Sequence, residues 1–209
     1  MRSILFFFLL IASVASHSQH GPRAGLALAT QSVGSLFQNS SNLLAGPLAG
    51  WHFEIPVHQQ VSIMPEILFI TKGFSYRTPA LSIRGRNTYR YIEVPVLAKI
   101  SIDKAPDGVY LLAGPTVGYF LTGQSKRWQQ NDLIYDQRFT LPANGRRVEF
   151  SGLVGMGVEG PKWAFDIRAQ TSVTPFERFT RIQNVVYSIT VAYRLRAKPI
   201  EQEDEEEEN

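Results

Sequence analysis

The chain has 209 residues, 44% of them hydrophobic, which suits one domain of moderate size and excludes disorder over most of the length. It contains no cysteine, so disulfides, thiolate metal sites and cysteine nucleophiles are excluded together. The net charge of +3 conceals a split: residues 198–209 hold seven acids and one base, and removing that −6 leaves a body of +9.

The N-terminal stretch "MRSILFFFLLIASVAS" places Arg2 before an apolar run from Ile4 to Val14, followed by small residues. This is the layout of a cleavable secretory signal, with the cut expected near Ser16 to Ser18. The run is too short for a membrane anchor, since a spanning helix needs ~20 apolar residues. No cysteine follows it to carry a lipid, and no second apolar run of spanning length exists.

Beyond the signal, period-2 alternation recurs and no amphipathic helix is evident. Eight strands are predicted, at 22–30, 46–58, 60–71, 90–102, 109–121, 147–159, 163–173 and 185–195. Their two faces differ sharply in chemistry. In the second, Trp51, Phe53, Ile55 and Val57 oppose His52, Glu54 and His58. In the fourth, Ile92, Val94, Val96, Ala98, Ile100 and Ile102 oppose Glu93, Lys99 and Ser101. The sixth sets Val148, Phe150, Val154, Met156 and Val158 against Glu149, Ser151, Gly155, Gly157 and Glu159. The seventh sets Trp163, Phe165, Ile167, Ala169, Thr171 and Val173 against Asp166, Arg168, Gln170 and Ser172. In the eighth, Tyr187, Ile189, Val191, Tyr193 and Leu195 oppose Ser188, Thr190 and Arg194.

Connections alternate between short ("HQQ", "DKAPDG", "EGPK") and long, which gathers the tight turns at one end of the sheet and the long loops at the other. Outer-membrane barrels have this asymmetry; a soluble up-and-down barrel is the structural rival. Apolar faces of five or six alternate positions match the ~9–11 residues of a tilted membrane strand. The expected fold is therefore all-β: an eight-stranded antiparallel up-and-down transmembrane barrel over residues 19–197, between a signal peptide (1–18) and an acidic disordered tail (198–209). The tail reads as a solubilising end, with a binding segment as the alternative.

In such a barrel the polar face is interior. Arg23, Glu54, Glu66, Glu93, Lys99, Glu149, Asp166, Arg168 and Arg194 are expected to form a lumenal charge network, because an isolated buried ion costs several kcal/mol. A packing role and a proton or ion path are the two readings of that network. Pro56, Pro65, Pro95 and Pro115 fall inside strands and predict bulges, since each lacks a ladder donor. Two aromatic belts are expected: Tyr110, Trp163 and Tyr193 near the short turns, and Phe69, Tyr91 and Tyr119 towards the long loops.

The segments "PRAGLALAT", "VSIMPEILFITKGFSY", "YRYIEVPVLAKI", "LLAGPTVGYFL", "FSGLVGMGVEG" and "VVYSITVAYRL", spanning Pro22 to Leu195, resemble the small outer-membrane β-barrel family of Bacteroidota-type bacteria, also called PorT-like or porin-family. The resemblance implies an outer-membrane location and insertion by the barrel assembly machinery. It implies no activity, although one branch assists a secretion system. Such barrels often end on an aromatic residue that the assembly machinery reads; here the matching aromatic is Tyr193, ahead of the acidic stretch.

No metal spacing, phosphate loop or catalytic carboxylate pair is present, and His52 and His58 share a face without a nucleophile. No enzyme activity, cofactor or metal is expected. The long connections instead hold twelve bases (Lys72, Arg77, Arg84, Arg86, Arg90, Lys126, Arg127, Arg138, Arg146, Arg147, Arg178 and Arg181) against Asp132, Asp136 and Glu177. Arginine forks suit phosphate, so Arg84, Arg86, Arg127, Arg146 and Arg147 are candidates to contact outer-leaflet lipopolysaccharide or another anionic surface ligand. Nucleic acid is a poor partner for an exported chain, and a monomer is expected. The leading expectation is a structural or interaction barrel. A narrow solute channel, a secretion-system accessory and, last, a barrel enzyme are the alternatives.

Overall fold

In the computed structural model, residues 19–32, 42–102, 108–140, 146–174 and 183–195 are described. The signal segment, the acidic tail, Arg178 and Arg181 lie outside them. Alternating sequence becomes nine strands: β1 (Gln19–Ser32), β2 (Leu44–His58), β3 (Val61–Thr78), β4 (Ile83–Ser101), β5 (Gly108–Gln129), β6 (Asp132–Phe139), β7 (Val148–Glu159), β8 (Trp163–Ser172) and β9 (Gln183–Tyr193). Eight of them close a ring in the order β1-β2-β3-β4-β5-β7-β8-β9, and β9 pairs antiparallel with β1 from Arg23↔Ala192 to Ser32↔Gln183. Every pairing is antiparallel between ring neighbours, so this is an eight-stranded up-and-down barrel with no free edge around its wall.

β6 stands outside the ring, paired with the far end of β5 through a turn at Gln130 and Asn131, both at positive φ. β3 and β4 likewise run on past the ring, joined by a single 3-10 turn at Pro79–Leu81. The segments read from sequence as two long loops are thus mostly extended hairpin. Water reaches both faces of β6 and of the outermost residues of β3 and β4, so little pressure separates apolar from polar residues there.

The inversion that sequence cannot see is plain in the wall. Ile92 is 41% exposed, Phe165 54%, Ile167 53% and Ile189 65%, while Glu93, Lys99, Asp166 and Arg168 are buried. A water-soluble barrel has the reverse arrangement; an aliphatic outer wall over a charged interior fits acyl chains outside.

The prolines behave differently from expectation. Only Pro56 sits beside a register shift, between Pro56 and His58. Pro65, Pro95 and Pro115 keep their register (Pro65↔Val96, Pro95↔Thr116, Pro115↔Gly152). The β3–β4 ladder skips Glu66–Ile67 opposite Val94–Pro95, and the β4–β5 ladder skips Val96–Leu97 opposite Gly114–Pro115, then both resume unshifted. The missing N–H opens the ladder locally, while the face chemistry on either side pins the register.

The belts also need correction. Trp163 and Tyr193 pack edge-to-face at 4.8 Å, and Phe69 and Tyr119 are exposed on the wall. Tyr91 and Tyr110, however, point inward and are buried. Tyr110 faces Gly157 across the β5–β7 ladder, and its ring takes the space where a Cβ at Gly157 would come within 2.6 Å of it. Two interior apolar clusters result, one around Tyr91, Phe120, Leu68 and Ile70, the other around Tyr110, Leu97, Leu112 and Leu153.

Candidate functional site

The interior charges fall into three tiers along the barrel. Near the short turns, Lys99 Nζ meets Glu54 at 2.5 Å and also Glu159, while Arg194 pairs with Glu54 at 3.2 Å and with Glu159. Arg194 also donates to the Gly160 carbonyl at 2.8 Å, which ties this tier to the β7–β8 turn. In the middle, Arg168 forks onto Glu66 at 2.7 and 2.9 Å and donates through Nε to Asp166 at 2.6 Å. Arg23 pairs with Glu66 at 3.1 Å and with Asp166, whose oxygens also accept from Tyr110 at 2.9 Å and Thr190 at 2.7 Å. Towards the long loops, Lys72 Nζ bridges Glu93 at 2.5 Å and Glu149 at 2.6 Å. Gln170 donates to Glu93 at 3.1 Å and Asn184 to Glu149 at 2.5 Å.

The lower and middle tiers each hold two cations and two carboxylates, and the upper tier holds one cation and two. Each ion is met by opposite charge at hydrogen-bonding distance, the condition under which a buried ion is tolerated. The two apolar clusters occupy the lumen between and around the tiers. Among the described residues, paired ions and packed apolar side chains occupy the lumen, as eight strands allow.

The outer surface changes character beyond the wall. On β4, Ile92, Arg90, Thr88, Arg86 and Arg84 alternate onto one face, so the aliphatic wall continues upward as a basic one. The cross-strand registers bring Arg77 opposite Arg84 and Arg84 opposite Trp128, with Arg86 opposite Lys126. Arg84 stacks over the Trp128 ring at 5.8 Å and donates to Asn131 at 3.3 Å. A cleft of ≈ 330 Å³ opens here, lined by Asn42, Ser75, Tyr76, Arg77, Arg84, Gly85, Arg86 and Trp128. Lys126 is engaged by Asp136 at 3.4 Å, and Gln124 donates to the same carboxylate at 2.7 Å.

Comparison with known proteins agrees with this architecture. Residues 14–177 match the family model described as outer membrane protein beta-barrel domain. The chain belongs to that family. No relative was found among curated proteins. Among solved structures, Ail of Yersinia pestis, in complex with the heparin analogue sucrose octasulfate, shares 12% identity over 85% of this chain and 99% of its own, with a TM-score of 0.50. Neisserial surface protein A shares 10% identity over 84% and 96% (TM-score 0.45), and OprG from Pseudomonas aeruginosa 10% over 86% and 95% (TM-score 0.38). At 12% identity only the fold is common ground with Ail.

Within this outer-membrane barrel, all nine residues of the expected lumenal set (Arg23, Glu54, Glu66, Glu93, Lys99, Glu149, Asp166, Arg168 and Arg194) are buried and ion-paired. Sequence reasoning left out two members. Glu159 was read on the polar face but not counted, although it shares the parity of Glu149 on β7. Lys72 was placed among the external bases; it is 0% exposed, because β3 continues inward-facing from Glu66 through Leu68 and Ile70 to Lys72. Its parity was the available signal. His52 is buried while His58 is exposed beside the bulge, so the two histidines do not form one site. Among the five external arginines, Arg84 and Arg86 share the outer face. Arg127 lies on the opposite face of the extension, donating to the Tyr76 hydroxyl at 3.3 Å, and Arg146 and Arg147 are exposed just before β7. No group of acidic and histidine side chains suited to a metal occurs among the described residues.

Proposed function

We propose that this barrel has a structural and interaction role in the outer membrane, exercised at its long-loop end by contact with anionic surface glycolipid. The observation that carries this reading is the change of the outer wall from Ile92 to Arg90, Arg86 and Arg84 along one face of one strand. Arg90 stands where the phosphates of an outer-leaflet glycolipid begin, Arg86 and Arg84 reach above it towards the glycolipid's further anionic groups, and guanidinium forks bind phosphate bidentately. The filled, ion-paired lumen favours this role over a solute channel.

The finer assignments are part of the same proposal. The protein is a PorT-like member of Bacteroidota type, exported by its cleaved signal and inserted by the barrel assembly machinery. It acts as a monomer, without cofactor or catalysis and without nucleic acid as a partner. Replacing Arg84, Arg86, Arg146 and Arg147 together by serine tests the glycolipid contact. Lipopolysaccharide retained through purification should fall several-fold per mole of folded barrel. Unchanged retention would overturn the reading.

A further inference from the structure

We infer that the cleft at Arg77, Arg84, Arg86 and Trp128 is a binding site for a phosphorylated sugar of a membrane-anchored glycolipid, above the level of the lipid phosphates. The inference rests on the glycolipid reading and gives it a place and a chemistry.

Charge placement is the first argument. Arg77 lies directly opposite Arg84, and Arg86 directly opposite Lys126. Like charges directly opposite on a ladder destabilise it. Lys126 has Asp136 to offset it, whereas the residues lining the cleft include no carboxylate. An anion bound between the guanidinium groups would remove that repulsion.

Shape and surface supply the second. The volume of ≈ 330 Å³ lies at the small end of ligand pockets and suits one sugar unit more than an extended glycan. Trp128 lines the cleft and brings an aromatic ring to it beside the guanidinium groups. Arg84, held over that ring and tied to Asn131, is oriented in advance.

Height is the third. At ~3.3 Å per residue, Arg90 stands ~7 Å along the strand from Ile92, and Arg86 ~20 Å. Strand tilt of ~35–45° shortens these rises, but Arg86 and Arg84 remain well clear of the lipid-phosphate level that Arg90 occupies. Because the cleft lies on the face that continues the acyl-facing wall, a molecule standing in the membrane beside the barrel presents its sugars to it directly.

The test uses the full mature chain folded in detergent micelles. Trp128 fluorescence is read, and Trp128→Phe identifies its contribution. Three probes are titrated: lipopolysaccharide with a phosphorylated core, lipid A alone, and soluble glucose 1,6-bisphosphate. Wild type should prefer phosphorylated-core lipopolysaccharide over lipid A by at least about tenfold, or ~1.4 kcal/mol. Arg84→Ser with Arg86→Ser, and separately Trp128→Ala read by retention, should abolish that preference and leave lipid A binding unchanged. Both variants should keep the gel shift on boiling, since these side chains lie outside the ring. An unchanged preference in both would overturn the inference, as would equal affinity for lipid A and the phosphorylated core. Soluble bisphosphate binding as tightly as the lipopolysaccharide would overturn the anchored source. If the four-serine variant loses glycolipid while core preference survives at this cleft's variants, the broader reading stands and the cleft assignment falls.

Discussion

Lys72 shows how a single side chain is fixed by the ions around it. Its ammonium group is fully buried between Glu93 and Glu149 and lies 5.0 Å from the centroid of the Tyr91 ring. Lys72→Met removes the cation that pairs with both Glu93 and Glu149 and leaves these two buried carboxylates without it. Breaking such a pair costs ~3–5 kcal/mol. Urea unfolding in lipid vesicles should show that loss, and adding Glu149→Gln should recover part of it. Full stability in Lys72→Met would remove the pairing argument. Asp136 is the contrasting case, outside the membrane and in water. The Gln124 amide, with Lys126 nearby, holds its carboxyl below the ordinary aspartate range. A depressed value in the folded state means a contribution present above the ordinary value of ~3.9 and lost as pH falls through the lowered one. Protection of the β6 amides, taken against the intrinsic exchange rate at each pH, should therefore be unchanged from neutral pH to about 5 and fall only below about 4. Asp136→Asn should flatten that dependence.

At the scale of elements, the β5–β6 hairpin is an appendage to a closed ring. β5 pairs with β4 along nearly its whole length and with β7 from Gly108 to Tyr119; β6 takes only the stretch of β5 from Gly123 to Gln129. The wall is complete without β6. Replacing Lys126–Asp136 by Asn-Gly, between the paired Ser125 and Gln137, supplies a two-residue hairpin turn. The shortened chain should still insert and still shift in gel mobility on boiling. Loss of that shift would mean that β6 takes part in closing the barrel. Glycine shapes the elements at defined points. Gly73 adopts φ 137 where a Cβ would meet the Asn87 carbonyl at 2.0 Å, and the Tyr76 and Phe139 rings lie on Gly85 and Gly123 across their ladders. Each of these aromatic–glycine pairs seats a large ring inside the sheet's curve without forcing the strands apart.

For the whole molecule, the tiers and apolar clusters decide permeability. An open channel needs continuous water, yet the described lumen alternates between paired ions and packed Tyr91, Phe120, Tyr110 and Leu97. Planar-bilayer recordings of the wild type should be quiet. Steady single-channel currents at neutral pH would contradict the packed interior.

Much of this was written in the sequence. The period of two, the opposition of Ile92 and Val94 to Glu93 and Lys99, and the alternation of short and long connections determined the strands, their faces and the number in the ring. They did so because a sheet between two unlike media must separate its side chains by parity. Sequence favoured the polar face as the interior one through the length of the apolar faces, but parity is symmetric and could not show it directly; in the closed ring Asp166 and Arg168 are buried in the lumen and Phe165 stands on the wall. Nor could sequence find β6, exposed on both faces, or the polar upper reaches of β3 and β4, or the meeting of Lys72 with Glu149. That contact joins residues 77 apart in the chain, and it exists only because the ring brings β3 and β7 across from one another.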